Sequence, residues 1–425
     1  MRENNKRKNR LWIMNIDHAL DRHTAEKGFS NILTKYMMLV DPMDKFIVPP
    51  NIDQSSLSYV TKTKNLDPSE EWVMRLTKTS DPFDTVDSII NNTDVMSNLK
   101  ELAATNRYFI EPYIPSLKLL ALSNMVGIPL SDSGRSALKN GDCIKLNDKY
   151  VFKKLSEELG VKVVDYNLAF NKDELIYFIS TMGERFDRLI IKKTFSTGGY
   201  GNLNGTSDEL LKMINGWYNP QELVIIEPFI NIDETLGSLI YVGKDQYQLI
   251  GIDKQNIKDG GWKGCDYPYY CKQASPLIEK LSARYAEYML ENKLEGYLNL
   301  DWAVVRENND GIELYALESN YRYNGFSFVL DVAKGLFGLD HDRAFISYDS
   351  WYELSPKIKD DLTLLDMIDK INHLFKNSNK GGAVCTNMPK RNKVELMLVA
   401  DNYNAMSELK NLTRSFIGLQ PKECL

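Results

Sequence analysis

In EGYLNLDWAVVRENNDGIELYALESNYRYNG, Glu295–Gly325, two alternating runs flank Asn308-Asn309-Asp310-Gly311. Side chains alternate faces along a strand, and an Asn/Asp-Gly turn between two such runs is a hairpin signal. Leu298, Leu300, Trp302 and Val304 then share one face, leaving Asn299 and Asp301 on the other. On the returning strand Glu318 and Asn320 share a face because they lie two apart. A turn centred on Asn309-Asp310 places Asp301 opposite Glu318 and Asn299 opposite Asn320, whereas one centred on Asp310-Gly311 places Asp301 opposite Asn320. Either register gathers Asp301, Glu318 and Asn320. Carboxylates opposed across a strand pair repel unless positive charge lies between them. An all-oxygen set on one rigid face suits Mg²⁺, which takes one or two carboxylates with phosphate oxygens and water. A solvated polar face of an amphipathic sheet is the alternative for this hairpin taken alone. Arg322, on the same alternation, fits a charge clamp for phosphate.

A second stretch narrows the chemistry. In LIIKKTFSTGGYGN, Leu189–Asn202, an apolar run and two lysines lead into Ser196-Thr197-Gly198-Gly199-Tyr200-Gly201. Three glycines leave backbone N–H groups unshielded and free to wrap a phosphate, although ordinary turns share that composition. No G-x-x-x-x-G-K-[ST] occurs, which excludes a P-loop. Asn204 stands where a G-x-G-x-x-G pattern needs its last glycine, and no H-R-D or D-F-G follows, so neither a dinucleotide fingerprint nor a protein kinase fits.

At 425 residues the chain exceeds one compact core, and about three domains are expected. Its 58 acidic against 52 basic residues argue against a nucleic-acid partner. No apolar run reaches a membrane span, and the basic start MRENNKRKNRLWIMNIDHAL reads as a ragged lead into a first strand. Cys143, Cys265, Cys271, Cys385 and Cys424 show no CxxC or zinc spacing, so a reducing cytoplasm is expected. His18, His23, His341 and His373 form no metal-ligand pattern.

Residues 1–140 alternate β-rich runs (KFIVPP, EWVMRL, RYFIEPYI) with helical ones such as SLKLLALSNMVG, stopped at Gly127, which suggests a small α/β domain. NDKYVFKKLSEELG reads as a helix capped by Asn147 or Asp148 and ended at Gly160. VKVVDY, RLIIKK, ELVIIEPFI and TLGSLIYV read as strands, and NKDELIYFISTMGERF as a helix. SPLIEKLSARYAEYMLENKLEG reads as a helix with Ser275 as cap, Pro276 in its first turn and Gly296 beyond its end. The glycine- and aromatic-rich Lys254–Gln273 is either an acceptor loop offering Trp262, Lys263 and Tyr267 or an irregular connection.

The order strand–lysine–glycine loop, then VIIEPFINIDE, then the Asp/Glu/Asn hairpin resembles the ATP-grasp superfamily over roughly residues 140–345. The resemblance implies an α/β (α+β) fold: a pre-ATP-grasp α/β domain at 1–140, an ATP-grasp core at 141–345 and a small carboxyl-terminal α/β cap at 346–425. The core divides into a lid subdomain, 141–230, and a catalytic subdomain, 231–345. By the same resemblance Lys149, with Lys145 as alternative, and Lys192 contact phosphates, and Ser196, Thr197, Gly198, Gly199, Tyr200 and Gly201 form the closing loop. Glu227, Phe229 and Ile230 lie in the hinge that reads adenine, and Glu234 binds ribose. Asp301, Glu318 and Asn320 hold two Mg²⁺ (or Mn²⁺) ions, with Arg322 and Lys192 as catalytic residues. Asp301 replaces a glutamate common in several branches, and ESNYRYNG departs from the usual text after the glutamate.

The implied activity joins a carboxylate to an amine through an acylphosphate, releasing ADP and phosphate. FIEPYIPSLKLLALSNMVGIPL and the carboxyl-terminal segment further resemble pheganomycin-type peptide ligases, implying an amino acid or peptide substrate in secondary metabolism. The partners implied are a small-molecule or peptide carboxylate and an amine acceptor, without nucleic acid or membrane. The helix Asp361–Phe375 could serve a homodimer as easily as a core. An ATP-grasp phosphotransferase and a non-catalytic nucleotide-binding scaffold are the alternatives.

Overall fold

Short runs of branched and aromatic residues build a first sheet from β1 (Asn9–Ile13), β2 (Lys45–Val48), β3 (Val73–Arg75) and β4 (Tyr108–Pro112). They lie in the order β3-β2-β1-β4, all parallel, so helices must cross between them. The helix that follows β4, α1 (Leu117–Val126), is capped by Ser116 and ends at Gly127, whose φ of 80° is the left-handed conformation expected of that glycine. Leu11, Ile13 and Ile110 pack on the crossover helices, whereas Trp12, Phe46 and Val48 face the opposite way, into the central core. The structure is a computed structural model that describes residues 8–19, 34–50, 52–69, 71–77, 84–139, 141–196, 201–220, 222–258, 260–307, 311–353, 358, 360–375, 380–390 and 393–417.

After α2 (Asp142–Asn147), the side chain of Asp148 accepts hydrogen bonds from the amides of Tyr150 and Val151 and so starts α3 (Lys149–Glu158). A second, antiparallel sheet follows in the order β5-β8-β6-β7: β5 (Asn167–Ala169), β6 (Leu189–Lys193), β7 (Asn202–Gly205) and β8 (Val224–Pro228). α4 (Lys172–Gly183) and α5 (Ser207–Trp217) cover it with Leu175, Ile179, Leu210 and Ile214. VKVVDY is not the expected strand. Val161 and Val164 are buried, but the backbone bonds elsewhere: Lys162 O accepts from Ala316 N and Val164 O from Lys153 Nζ. Only Val163 makes an isolated bridge, to Ala316.

The third sheet has eight antiparallel strands: β9 (Glu234–Val242), β10 (Tyr247–Lys258), β11 (Gly261–Tyr267), β12 (Gly296–Arg306), β13 (Ile312–Asn320), β14 (Phe345–Glu353), β15 (Gly381–Lys390) and β16 (Lys393–Ala400). Their order is β13-β12-β9-β10-β11-β14-β16-β15. The segment read as a carboxyl-terminal cap therefore extends the sheet that carries the carboxylate hairpin. α6 (Ser275–Glu291) and α7 (Gly325–Phe337) pack in the central core, while α8 (Asp361–Phe375) and α9 (Tyr403–Ile417) cover the carboxyl-terminal strands. Ser275 is the first residue of α6 rather than its cap, its hydroxyl accepting from Cys271 N, and Gly296 opens β12. Lys254–Gln273 is a hairpin over most of its length, with Ile257 paired to Trp262.

A Cβ on Gly264 would stand 1.9 Å from Tyr348 O, where β11 meets β14. Gly264→Ala is expected to lower stability by about 1–3 kcal/mol in urea unfolding. Gly216→Ala, exposed at the end of α5 with open space around it, should raise stability by up to about 1 kcal/mol.

Candidate active site

In the hairpin, Asp301 pairs with Glu318 and Asn299 with Asn320, the first of the two expected registers. Beyond Asp301 the register slips by one residue, with Trp302 opposite Ala316, so Leu317 is the extra residue of a bulge beside the acids. Leu298, Leu300, Trp302 and Val304 are buried on the core face, as the alternation required. Asp301 Oδ1 accepts from Gln255 Nε2 (2.6 Å) and Asn299 Nδ2 (2.7 Å), and Oδ2 from Asn320 Nδ2 (3.1 Å). Burial and the neighbouring Glu318 charge push the Asp301 carboxyl well above the usual carboxylate range. Burial would raise Glu318 too, but Lys149 outweighs it and holds Glu318 below that range; their ion pair is 3.0 Å long.

The same cross-strand row runs on through Gly237 to Asp253, on strands β9 and β10. A Cβ on Gly237 would meet Asp253 Oδ1 at 2.3 Å and Gln255 Nε2 at 3.0 Å, so glycine keeps this floor open. Asp253 is 1% exposed, and burial pushes its carboxyl up to about 7.

Lys149 joins two parts of the site. Its Nζ also donates to the carbonyl and hydroxyl oxygens of Ser196, each at 3.1 Å, at the start of the glycine loop. Gly201, at the loop's far end, has φ of 85° and accepts from Lys193 N. Thr197, Gly198, Gly199 and Tyr200 lie outside the described residues. Lys192 Nζ pairs with Glu227 Oε2 at 2.6 Å, and Lys153 Nζ with Oε1 at 2.9 Å. Burial alone would raise Glu227, but the two ammonium groups hold it low; burial with Lys192 alongside lowers Lys153 despite Glu227. Two lysines thus share one carboxylate.

In the segment after Glu227, Phe229 N donates to Arg188 O, while among the described residues the Ile230 amide bonds to nothing. Glu234 Oε2 accepts from Tyr269 Oη at 2.9 Å, and its Oε1 lies 3.3 Å from Arg306 and 3.5 Å from Lys254. Arg322, 8% exposed, donates to Asn147 Oδ1 at 2.5 Å, and Asn147 in turn donates to Tyr321 O. Its guanidinium lies 6.0 Å above the Tyr113 ring.

Sequence reasoning passed over Lys153, Gln255, Asn147 and Asn299 as site residues. Lys153 was legible, since it follows Lys149 by one helical turn. Gln255 was not, because its partner is 46 residues away on a non-adjacent strand. Of the acceptor-loop candidates, Trp262 lies against Gly325, whereas Tyr267 is buried and donates to His341 O.

No family model and no curated protein matches the chain. Solved structures do. N5-carboxyaminoimidazole ribonucleotide synthetase from Thermus thermophilus matches with a TM-score of 0.59 at 12% identity, covering 93% of this chain and 98% of that one. The N5-carboxyaminoimidazole synthase from Aspergillus clavatus, in complex with ADP and 5-aminoimidazole ribonucleotide, gives 0.57 at 10% identity over 97% and 98%. An L-amino acid ligase from Bacillus licheniformis gives 0.53 at 10% identity over 95% and 96%. The chain has the ATP-grasp fold.

The residues around Asp301 fit Mg²⁺. Asp301 and Glu318 face each other, Asn320 adjoins them, and Asn299 Oδ1 is buried with no hydrogen-bond partner. A hard cation on this all-oxygen set relieves the carboxylate repulsion. Among the described residues, no helix is long and apolar enough to cross a membrane.

Asp253, raised on folding, contributes stability at low pH that is lost as pH rises through about 7. Asp253→Asn removes that loss. Relative to the parent, the variant should gain roughly 3–4 kcal/mol between pH 4 and pH 8 in urea titrations, and show no growing gain if Asp253 ionises normally.

Proposed function

We propose that the chain is an ATP-dependent carboxylate–amine ligase that works through an acylphosphate on amino acid or peptide substrates. The observation that carries this reading is Lys149, whose single ammonium reaches both Ser196 at the phosphate loop and Glu318 of the opposed acids. A nucleotide triphosphate whose terminal phosphates lie between loop and hairpin meets Lys149, Lys192 and Arg322 there. Glu227 fixes Lys192, and the Ile230 amide, unbonded among the described residues, offers an edge for adenine. Glu234, held by Tyr269, faces the ribose hydroxyls.

A substrate carboxylate oxygen attacks the γ-phosphorus, and the bond to the ADP oxygen breaks. The amine nitrogen then attacks the acyl carbon, loses a proton and expels inorganic phosphate. An anion must approach a polyanion, so the barrier is chiefly electrostatic. Mg²⁺ held by Asp301, Glu318 and Asn320 supplies neutralisation of the phosphate charge when bound. Lys149 and Lys192 take up charge on the transferring phosphate, and Arg322, steadied by Asn147 and Tyr113, orients it. The three neighbours are named as a synthetase, a synthase and a ligase, the last for L-amino acids, which supports the ligase class.

Hydroxylamine trapping tests this. With Mg²⁺-ATP and a pool of amino acids, short peptides and host metabolites, mass spectrometry should find a hydroxamate. Glu318→Gln or Lys149→Met should lower its rate about 10²–10³-fold. ADP release with a phosphorylated metabolite and no hydroxamate would establish the phosphotransferase alternative instead.

A further inference from the structure

Among the described residues, Lys35 is a cation with no counter-ion. It is 8% exposed, and its ammonium forms no ion pair and no hydrogen bond with any of them. Four aromatic rings surround the Nζ: Tyr36 at 5.4 Å, Phe328 at 5.7 Å, Trp262 at 5.8 Å and Tyr348 at 6.0 Å from the ring centres. Ring faces attract a cation, but they do not satisfy its three N–H donors as an oxygen does. A buried charge in that state is held at a cost that an anionic ligand removes.

The rings come from separate elements, since Trp262 lies on β11, Phe328 on α7 and Tyr348 on β14. The neighbouring Thr34 hydroxyl donates to Asn387 Oδ1 at 2.5 Å, tying this segment to β15. Among the described residues, the carboxylate engaged by this group is Glu395, which accepts from Tyr348 Oη at 2.7 Å and makes no ion pair with Lys35. The box also adjoins Arg322. Trp262 presses on Gly325, three residues past Arg322, and Tyr36 meets Tyr113 edge-on at 5.6 Å, the ring beneath Arg322.

We propose that Lys35, within the box of Tyr36, Trp262, Phe328 and Tyr348, binds the free carboxylate of the acceptor, which is therefore an amino acid or peptide rather than a simple amine. This inference rests on the ligase reading. In that reaction the carboxylate to be activated meets the γ-phosphate beside Arg322 and is not available to Lys35. The group held by Lys35 belongs to the second substrate, anchored by one end so that its amine extends toward Arg322. The rings give its apolar side chain flat walls.

Calorimetric titration of the full chain with L-phenylalanine and glycyl-L-phenylalanine, each against its carboxamide and against inorganic phosphate, tests the proposal without turnover. Runs with and without Mg²⁺ and a non-hydrolysable ATP analogue cover both states of the cleft. At least one acid should bind, and its carboxamide should bind about 10–100-fold more weakly. Lys35→Met should lose that preference, and Lys35→Arg should keep it. Equal binding of acid and amide by the parent chain, absence of binding by both acids, an unchanged preference in Lys35→Met, or phosphate binding tighter than either acid would each overturn it. The acid–amide comparison on the parent chain needs no variant, so a misfolded Lys35→Met leaves the test intact. Hydroxamate formation together with equal acid and amide binding would retire Lys35 as the anchor and leave the ligase reading standing.

Discussion

Two carboxylates opposed across one strand pair, Asp301 and Glu318, set the terms for the rest of the site. In water such a pair separates, but here the buried core face of the hairpin holds the register and a bulge at Leu317 follows at once. The repulsion is met locally by sharing. Burial and the Glu318 charge raise the Asp301 carboxyl, against the hydrogen bond that Gln255 donates to it, while Glu318 ionises against Lys149. Because Lys149 begins α3 and also holds Ser196, that one ion pair ties the hairpin to the sheet bearing the glycine loop.

Charge elsewhere in the cleft follows the same economy. Glu227 is shared by Lys192 and Lys153, so the pocket keeps one positive charge more than it neutralises. Breaking such a buried arrangement by removing its carboxylate is costed at about 3–5 kcal/mol, which explains how two lysines are tolerated side by side. The arrangement stays cationic without unfolding the sheet around it.

Much of this was legible in the sequence because it depends on local periodicity. The alternation of Leu298 to Val304 decided which face Asp301 occupies, but the pairs nearest the turn, such as Arg306 with Ile312, follow neither expected register, and the bulge at Leu317 is what brings Asp301 opposite Glu318. Asp148 and Gly127 bound their helices as capping chemistry requires. What was not legible depends on distant pairing. VKVVDY has the composition of a strand, yet its carbonyls are taken by Lys153 Nζ and by the Ala316 amide. The carboxyl-terminal strands joined the hairpin's own sheet because β14 pairs with β11, some 80 residues earlier, a partnership no periodicity announces. Gln255 and the aromatic box around Lys35 belong to the same class.

The central claim is that the opposed acids form a metal–nucleotide site, and the Mg²⁺ dependence of ATP affinity tests it most directly. Equilibrium dialysis of ATP would be run with Mg²⁺ and with EDTA, on the parent chain and on Asp301→Asn and Glu318→Gln. The account predicts that Mg²⁺ tightens binding to the parent chain by at least about tenfold and that either substitution abolishes the difference. Equal ATP affinity with Mg²⁺ and EDTA, or a Mg²⁺ effect that survives both substitutions, would contradict it.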